Sequence, residues 1–267
     1  MIAVIMSVYK NDSDSFLVEA IDSILNQSVK CDLLIYLDGP INEKINFVIN
    51  KYRNNERIRI FEGKENKGLA FALNFLITYA LEVGYDFIAR MDSDDISRIS
   101  RIEKQIAFFY DNPNVDVLGT SCREFGASFA LDEKHLPKTH EQLINFSITR
   151  CPFIHPSVMF RSSVFNYGLR YPEDTTLTED MALWFLLLNN GFHFANIHEI
   201  LLDYRLNEDT INRRKGFNKA ISEINIRVKN MISLKQVNFK NISLIGARII
   251  FHLLPSSFVK FAYKNIR

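Results

Sequence analysis

The 267-residue sequence predicts an α/β chain with a mostly parallel central sheet flanked by helices and a C-terminal helical extension. Three observations predict it. Over the first 120 residues, short continuous apolar runs alternate with segments whose apolar residues recur every three or four positions; the first read as buried strands, the second as covering helices. Acids gather where one such run stops, at Asp92-Ser93-Asp94-Asp95, and ligands of parallel sheets bind beyond the carboxyl ends of strands. The third is a split in charge. The formal total is +1, but from Arg213 to Arg267 there are 12 basic residues and one acid, Glu223, leaving −10 on residues 1–212. An acidic body and a basic helical tail need separate explanations.

In order, Ile2 to Val8 reads as a strand, and Leu17, Ala20, Ile21, Ile24 and Leu25 as the buried side of a helix. Leu33 to Leu37 is a second strand, closed by the turn signal Asp38-Gly39-Pro40. Ile45, Val48, Ile49 and Tyr52 mark a helix, and Ile58 to Phe61 a strand. Asn66-Lys67-Gly68 opens a helix carrying Leu69, Leu73, Leu76, Ile77 and Ala80. Phe87 to Met91 is the strand that runs into the acids, with a helix expected from about Ile96 through Tyr110 and a strand from Val115 to Gly119. Prolines 137, 152, 156 and 172 break the next stretch into short pieces, among them a strand at Val158 to Phe160. Glu179 to Asn190 reads as a helix stopped by Gly191. Phe217, Ala220, Ile221, Ile224, Val228, Met231 and Ile232 form one helical stripe, and a second apolar helix follows from Ile242. The division expected is 1–120 and 121–212 as two halves of one domain, then 213–267 as a basic amphipathic tail.

Composition excludes several classes. A 47% hydrophobic share rules out a disordered chain, and the balanced total leaves no bulk charge for nucleic acid. Three scattered cysteines give no disulfide framework or zinc ribbon, which fits a reducing, cytoplasmic setting. Met1 to Met6 lacks the basic lead of a secretory signal, and no apolar stretch is long enough to span a bilayer. His135, His140, His193 and His198 read as packing or surface residues, and Ser157 lacks the context of a hydrolase nucleophile.

Three carboxylates within four residues repel one another unless something neutralises them. A hard divalent cation does so, taking carboxylate and phosphate oxygens together; a solvated acidic turn capping the following helix is the plain structural reading. Thr178-Glu179-Asp180 reads equally as an N-cap with a charged first turn or as the seat of a general base. Asp38 is a turn residue or an acceptor for a base or sugar, and Gly68 ends a plain loop or permits close approach of a nucleotide.

Taken together, these segments resemble the family 2 glycosyltransferases with a GT-A (nucleotide-diphospho-sugar transferase) fold. The resemblance rests on Ile5-Met6-Ser7-Val8-Tyr9-Lys10, Ala20 through Ser28, Asp38-Gly39, Asn66-Lys67-Gly68, Asp92-Ser93-Asp94-Asp95 with its Asp-x-Asp form, Ile154 through Arg161, Glu179-Asp180 with Trp184, and Leu202-Asp203-Tyr204-Arg205. It covers about residues 1–207. It implies a nucleotide-binding group of Ser7, Val8, Tyr9, Asp38, Asn66, Gly68, Asp92 and Ser93, with Asp38 at the base and Asp92 near the ribose. It implies that Asp94 binds Mn²⁺ or Mg²⁺ through the diphosphate. Asp180 would be the catalytic base, with His155, Glu179 and Trp184 on the acceptor side. Many relatives carry a histidine two residues after the Tyr-Arg pair, where this chain has Asn207.

The activity implied is a single inverting displacement, moving a hexose-type sugar from a nucleotide-diphosphate donor, UDP-sugar favoured, to a saccharide or lipid-linked acceptor of surface-polysaccharide biosynthesis. Two alternatives are a sugar nucleotidyltransferase, disfavoured by the absence of a Gly-rich basic loop near the N-terminus, and an inactive sugar-nucleotide-binding or scaffold protein, disfavoured by the presence of both Asp94 and Asp180. For the tail, an ordinary packed extension and a protein-partner surface compete with peripheral contact at the inner face of the plasma membrane. The apolar run Ile249-Ile250-Phe251 with Leu253-Leu254, flanked by Arg248 and Lys260, suits an interfacial helix.

Overall fold

The fold comes from a computed structural model, which describes residues 1–175, 178–209 and 217–253, with side chains omitted at 217–219 and 248–253. The run from Arg248 to Lys260 therefore lies outside the described side chains. In chain order the elements are β1 (Ile2–Val8), α1 (Asp14–Leu25), β2 (Asp32–Leu37), α2 (Glu43–Tyr52), β3 (Ile58–Glu62), α3 (Leu69–Val83), β4 (Phe87–Arg90), β5 (Ile96–Ser97), α4 (Arg101–Asp111), β6 (Val117–Phe125), α5 (His140–Ser147), β7 (Met159–Arg161), α6 (Glu179–Asn189), β8 (Phe194–Arg205), α7 (Phe217–Ser233) and α8 (Phe239–Leu253).

One eight-stranded sheet runs β3-β2-β1-β4-β7-β6-β8-β5. The first four strands are parallel. β7 then pairs antiparallel with both β4 and β6, while β6 and β8 run parallel. The parallel strands β2, β1 and β4 bury both faces, which is why β1 and β2 read as unbroken apolar runs. One face packs on α3, α5 and α6, where Leu73, Leu76, Ile77, Trp184 and Leu187 are buried. The other packs on α1, α2 and α4 through Leu17, Ile21, Ile45, Ile49 and Phe109. In register, Val8 stands beside Leu37 and Ile5 beside Arg90. The residues after β1, β2 and β4 therefore emerge at one edge, as expected for a ligand site.

Two expectations need correction. The helix expected from Ile96 starts instead at Arg101, because Ile96 and Ser97 form the short β5 with Asp203 and Leu202 of β8. The strand expected at Val115 to Gly119 runs on to Phe125, its length set by β8 alongside. In the basic segment, Met231 of α7 and Ile245 of α8 join the same core as Trp184. Arg227, 1% exposed, is the fastening. It pairs with Glu223 at 2.9 Å and donates to the carbonyls of Ser147 and Ile148 at 2.9 and 3.0 Å. The stripe read along α7 divides: Ala220, Ile224 and Met231 face the body, while Ile221, Val228 and Ile232 are exposed.

Candidate active site

The site is assembled at the carboxyl ends of β1, β2 and β4. Asp38, 4% exposed, accepts from the backbone N–H groups of Lys67 and Gly68 at 2.8 and 2.9 Å, one on each oxygen. Its own N–H donates to the Val8 carbonyl at 2.8 Å. One carboxylate thus joins the exits of β1 and β2 to the start of α3. Two glycines shape this corner. Gly39 has φ +84, and a Cβ there would lie 2.6 Å from the Asn66 nitrogen. Gly68 has φ +90 with open space beside it, a conformation that disfavours any side chain but leaves room for a ligand. Asn66 is exposed at the rim.

Past β1 the chain turns back through Asp12, whose Oδ2 accepts from the Tyr9 N–H at 3.1 Å and the Ser93 hydroxyl at 2.8 Å. Ser7, Tyr9, Asp38, Gly68, Asp92 and Ser93 therefore share one corner. Val8 contributes only backbone there, because its side chain is fully buried.

Asp92, Asp94 and Asp95 offer ligand oxygens within 4.8 Å of one another. Burial, then the charges of Asp92 and Asp12, push the Asp94 carboxyl up to about 7. Asp95 is fully buried and lies well above the usual carboxylate range, from burial first and from Asp92 and Asp94 next. Its Oδ1 accepts from the Arg205 N–H at 2.7 Å, while its Oδ2 is buried without a partner. Two elevated acids and an orphaned buried oxygen, all hard donors, fit Mg²⁺ or Mn²⁺. Asn207 lies with Asp94 in a pocket of about 160 Å³, which Phe16, Gly126, Arg205 and Leu206 complete.

Arg90 and Arg101, which the sequence did not single out, hold this cluster together with Arg205 and Gln27 of the family-like segments. Arg90, 2% exposed, forms an ion pair with Asp92. Burial alone would lower its pKa, but Asp92 holds it above the ordinary value. Arg101, fully buried, donates to the Arg90 carbonyl at 2.7 Å and to Gln105 at 3.1 Å. Burial draws its pKa down to about 9. Arg205 donates from Nε to the Asp94 carbonyl at 2.7 Å and lies 3.8 Å over the Phe16 ring. Gln27 accepts from the Ile102 N–H and donates to Ser97 and Arg98, fixing the start of α4. A charge spacing of over a hundred residues, as between Asp95 and Arg205, leaves no local signal.

The second group stands across Arg90. The His155 Nε2 and the Tyr171 hydroxyl are 2.9 Å apart. Burial and then Arg90 hold His155 well below the usual histidine range, so it is neutral. Tyr171 is held far above the ordinary phenol value by burial, and its hydroxyl feels Arg90, Asp180, Glu179 and Asp92. Asp180 is half-buried at the first turn of α6, accepts from the Met181 N–H at 2.7 Å and has the Cys151 thiol at 3.9 Å. Thr178 precedes the helix but does not cap it; its hydroxyl is buried without a hydrogen bond. Trp184, expected at the acceptor, is fully buried among Phe153, His155, Phe160 and Phe194. Its ring supports His155 from behind and does not reach solvent. The other histidines pair as His135–His198 and His140–His193, at 5.2 and 4.4 Å between ring centres.

A mixed sheet with an acid cluster at the carboxyl edge of its parallel strands suits a nucleotide-sugar type of transferase. The sequence profile of Glycosyl transferase family 2 matches residues 3–171. The chain belongs to that family and is a glycosyltransferase. It is 34% identical, over 99% of this chain and 95% of the other, to UDP-Gal:alpha-D-GlcNAc-diphosphoundecaprenol beta-1,3-galactosyltransferase of Escherichia coli. It is 29% identical, over 100% of this chain and 99% of the other, to the amylovoran biosynthesis glycosyltransferase AmsE of Erwinia amylovora. Among solved structures, S. aureus TarS 1–349 in complex with UDP superposes with a TM-score of 0.65, at 15% identity, covering 91% of this chain and 69% of that one. A mannosyltransferase from Pyrobaculum calidifontis, in complex with GDP-Man and Mn²⁺, superposes at 0.61 with 12% identity over 98% and 84%. The fold is GT-A.

Proposed function

We propose that the chain transfers a hexose-type sugar, with inversion, from a UDP-sugar to a saccharide or lipid-linked acceptor in surface-polysaccharide biosynthesis. The observation that carries this reading is the cluster of Asp92, Asp94 and Asp95 just past β4, whose ligand oxygens lie within 4.8 Å of one another. The named activity of the E. coli relative and the UDP held by the S. aureus protein support the donor class.

In this reading Asp38 fixes the loop that receives the base, and Ser7, Tyr9, Asn66, Gly68 and Ser93 line the nucleotide side. Asp94, with Asp92 and Asp95, would hold Mn²⁺ or Mg²⁺. When bound, the cation supplies charge to offset that growing on the departing nucleoside diphosphate. The acceptor oxygen bonds to the anomeric carbon from the face opposite the leaving phosphate oxygen, and an Asp180 oxygen takes the hydroxyl proton. Neutral His155, backed by Trp184, and Glu179 border the acceptor.

Asp180→Asn keeps size and hydrogen bonding but removes the base. It is expected to abolish transfer while UDP binding, read by thermal shift, stays within twofold. Turnover retained in this variant would refute the assignment.

A peripheral position at the inner face of the plasma membrane belongs to the same proposal. Ile221, Val228, Ile232, Val237, Phe239 and Ile242 are exposed on α7, α8 and their junction, 85% in the case of Phe239. Lys229, Lys235 and Lys240 stand among them, a mixture suited to an anionic bilayer surface. Among the described residues, no helix is long and apolar enough to cross a membrane.

A further inference from the structure

An open groove of about 570 Å³ lies between the outer face of α3 and residues 170–173. That volume falls within the ordinary range of ligand sites, about 300–1,000 Å³. Nothing assigned so far to the nucleotide or to the transferred hydroxyl uses it.

One wall is aromatic. Phe71, Phe75 and Tyr79 recur every fourth residue and so share a face of the helix. Phe75 is 40% exposed. Its ring does not hang free, since Tyr36 and Phe61 back it at 5.0 and 5.2 Å and Phe61 also meets Tyr79 at 4.6 Å. The opposite wall is polar and equally fixed. The Arg170 guanidinium is held by the carbonyls of Phe165 and Leu169 at 2.9 and 2.8 Å. Asn74 exchanges hydrogen bonds with the Tyr171 backbone in both directions at 2.9 Å and also reaches Glu173 at 2.9 Å. Glu82 closes the far end.

Rigid aromatic faces beside planar carboxylate, amide and guanidinium groups match one class of ligand. A pyranose presents apolar C–H faces that pack on rings and an equatorial rim of hydroxyls that such polar groups hydrogen-bond. Two glutamates to one arginine disfavour a diphosphate, and the polar wall disfavours a bare prenyl chain, whose burial there would leave charges without water.

We infer that this groove is a second saccharide site, holding acceptor sugars remote from the hydroxyl that is glycosylated. It rests on the reading that the acceptor is received around His155 and Asp180. Tyr171 joins the two places. Its backbone forms part of the groove wall through Asn74, and its hydroxyl meets His155 at 2.9 Å.

The test is saccharide binding by the full chain, followed by saturation-transfer NMR with maltotriose, cellotriose, mannotriose and triacetylchitotriose. At least one is expected to bind, and Phe75→Ala to weaken it fivefold or more. Phe75→Tyr, which keeps the ring, should bind within twofold of wild type, and UDP binding should be unchanged in both. Thr78→Met, at an exposed position in the groove, fills the space without removing a packed ring and should weaken the same trisaccharide. Binding by none of the four, or wild-type affinity in both Phe75→Ala and Thr78→Met, overturns the inference. Retained turnover in Asp180→Asn would overturn the reading of the centre alone, because trisaccharide binding in the groove does not involve that carboxylate.

Discussion

Replacing Asp94 by asparagine is expected to stabilise the metal-free protein at neutral and higher pH, although it removes a proposed metal ligand. The sign follows from the direction of its shift. Burial and the neighbouring Asp92 and Asp12 raise the carboxyl from 3.8 to about 7. Below the lower value both folded and unfolded chains hold the proton. As pH rises from about 4 to 7 the unfolded chain releases it first, so folding stability falls through that window and is level above it. A shift of about three pH units corresponds to about 4 kcal/mol. The carboxylate is not wholly enclosed, and water screens part of the repulsion, which leaves an expected gain of about 1–3 kcal/mol for Asp94→Asn. Urea unfolding followed by circular dichroism, in EDTA at about pH 5 and pH 8, measures it. The variant should be the more stable at the higher pH, and the difference should shrink at the lower. Excess Mn²⁺ should then stabilise the wild type more than the variant, because the cation replaces the missing counter-charge. A variant less stable than wild type at the higher pH in EDTA would refute the account of strained, unneutralised acids.

Other expectations concern the supports of the site. Arg227→Ala removes a buried ion pair with Glu223 and two donations to buried carbonyls and should cost about 2–4 kcal/mol in urea unfolding; a loss under about 1 kcal/mol would mean that α7 is only loosely applied. Asp38→Ala removes the acceptor of two backbone N–H groups and should cost about 3 kcal/mol, with UDP titration showing weaker binding even where the protein remains folded. Flotation with anionic vesicles should recover the full chain but not an Ile232→Glu, Phe239→Glu double variant, whose changes fall at exposed positions; equal recovery would count against membrane contact. Truncation near residue 212 is a poor substitute, since it would strip Met231 and Ile245 from the core.

What could be read in advance was whatever the chain writes locally. Buried parallel strands such as Ile2–Val8 and Asp32–Leu37 declare themselves by unbroken apolar runs, and the acid run after β4 is visible because its members are neighbours. What was hidden depends on distant partners. Ile96 and Ser97 carry too little pattern to identify a strand that exists only because β8 arrives beside it. Arg90 and Arg101 look like ordinary surface cations until the fold buries them beside the acids, and Arg205 reaches Asp95 through its backbone N–H from 110 residues away. The surroundings of Trp184 were equally hidden, since the three phenylalanines that enclose it come from distant segments. The charge split is silent on packing. Glu223, the one acid in the basic segment, faces Arg227 at the point where α7 docks, so the segment is electrostatically distinct yet mechanically continuous with the body.

The Asp38 clasp has a consequence for how this corner can change through time. It grips backbone N–H groups, which every residue except proline possesses. The identities at 64 to 67, all exposed, are therefore free to drift, so the rim can acquire new polar groups without loosening its hinge. Length is another matter. An insertion or deletion between β3 and α3 would carry the two amides away from the carboxylate and set the open space beside Gly68 elsewhere. Variation in this loop should accordingly appear as substitution at constant length, with altered preference for the incoming nucleotide, and changes of length should be found in loops that end on no such grip.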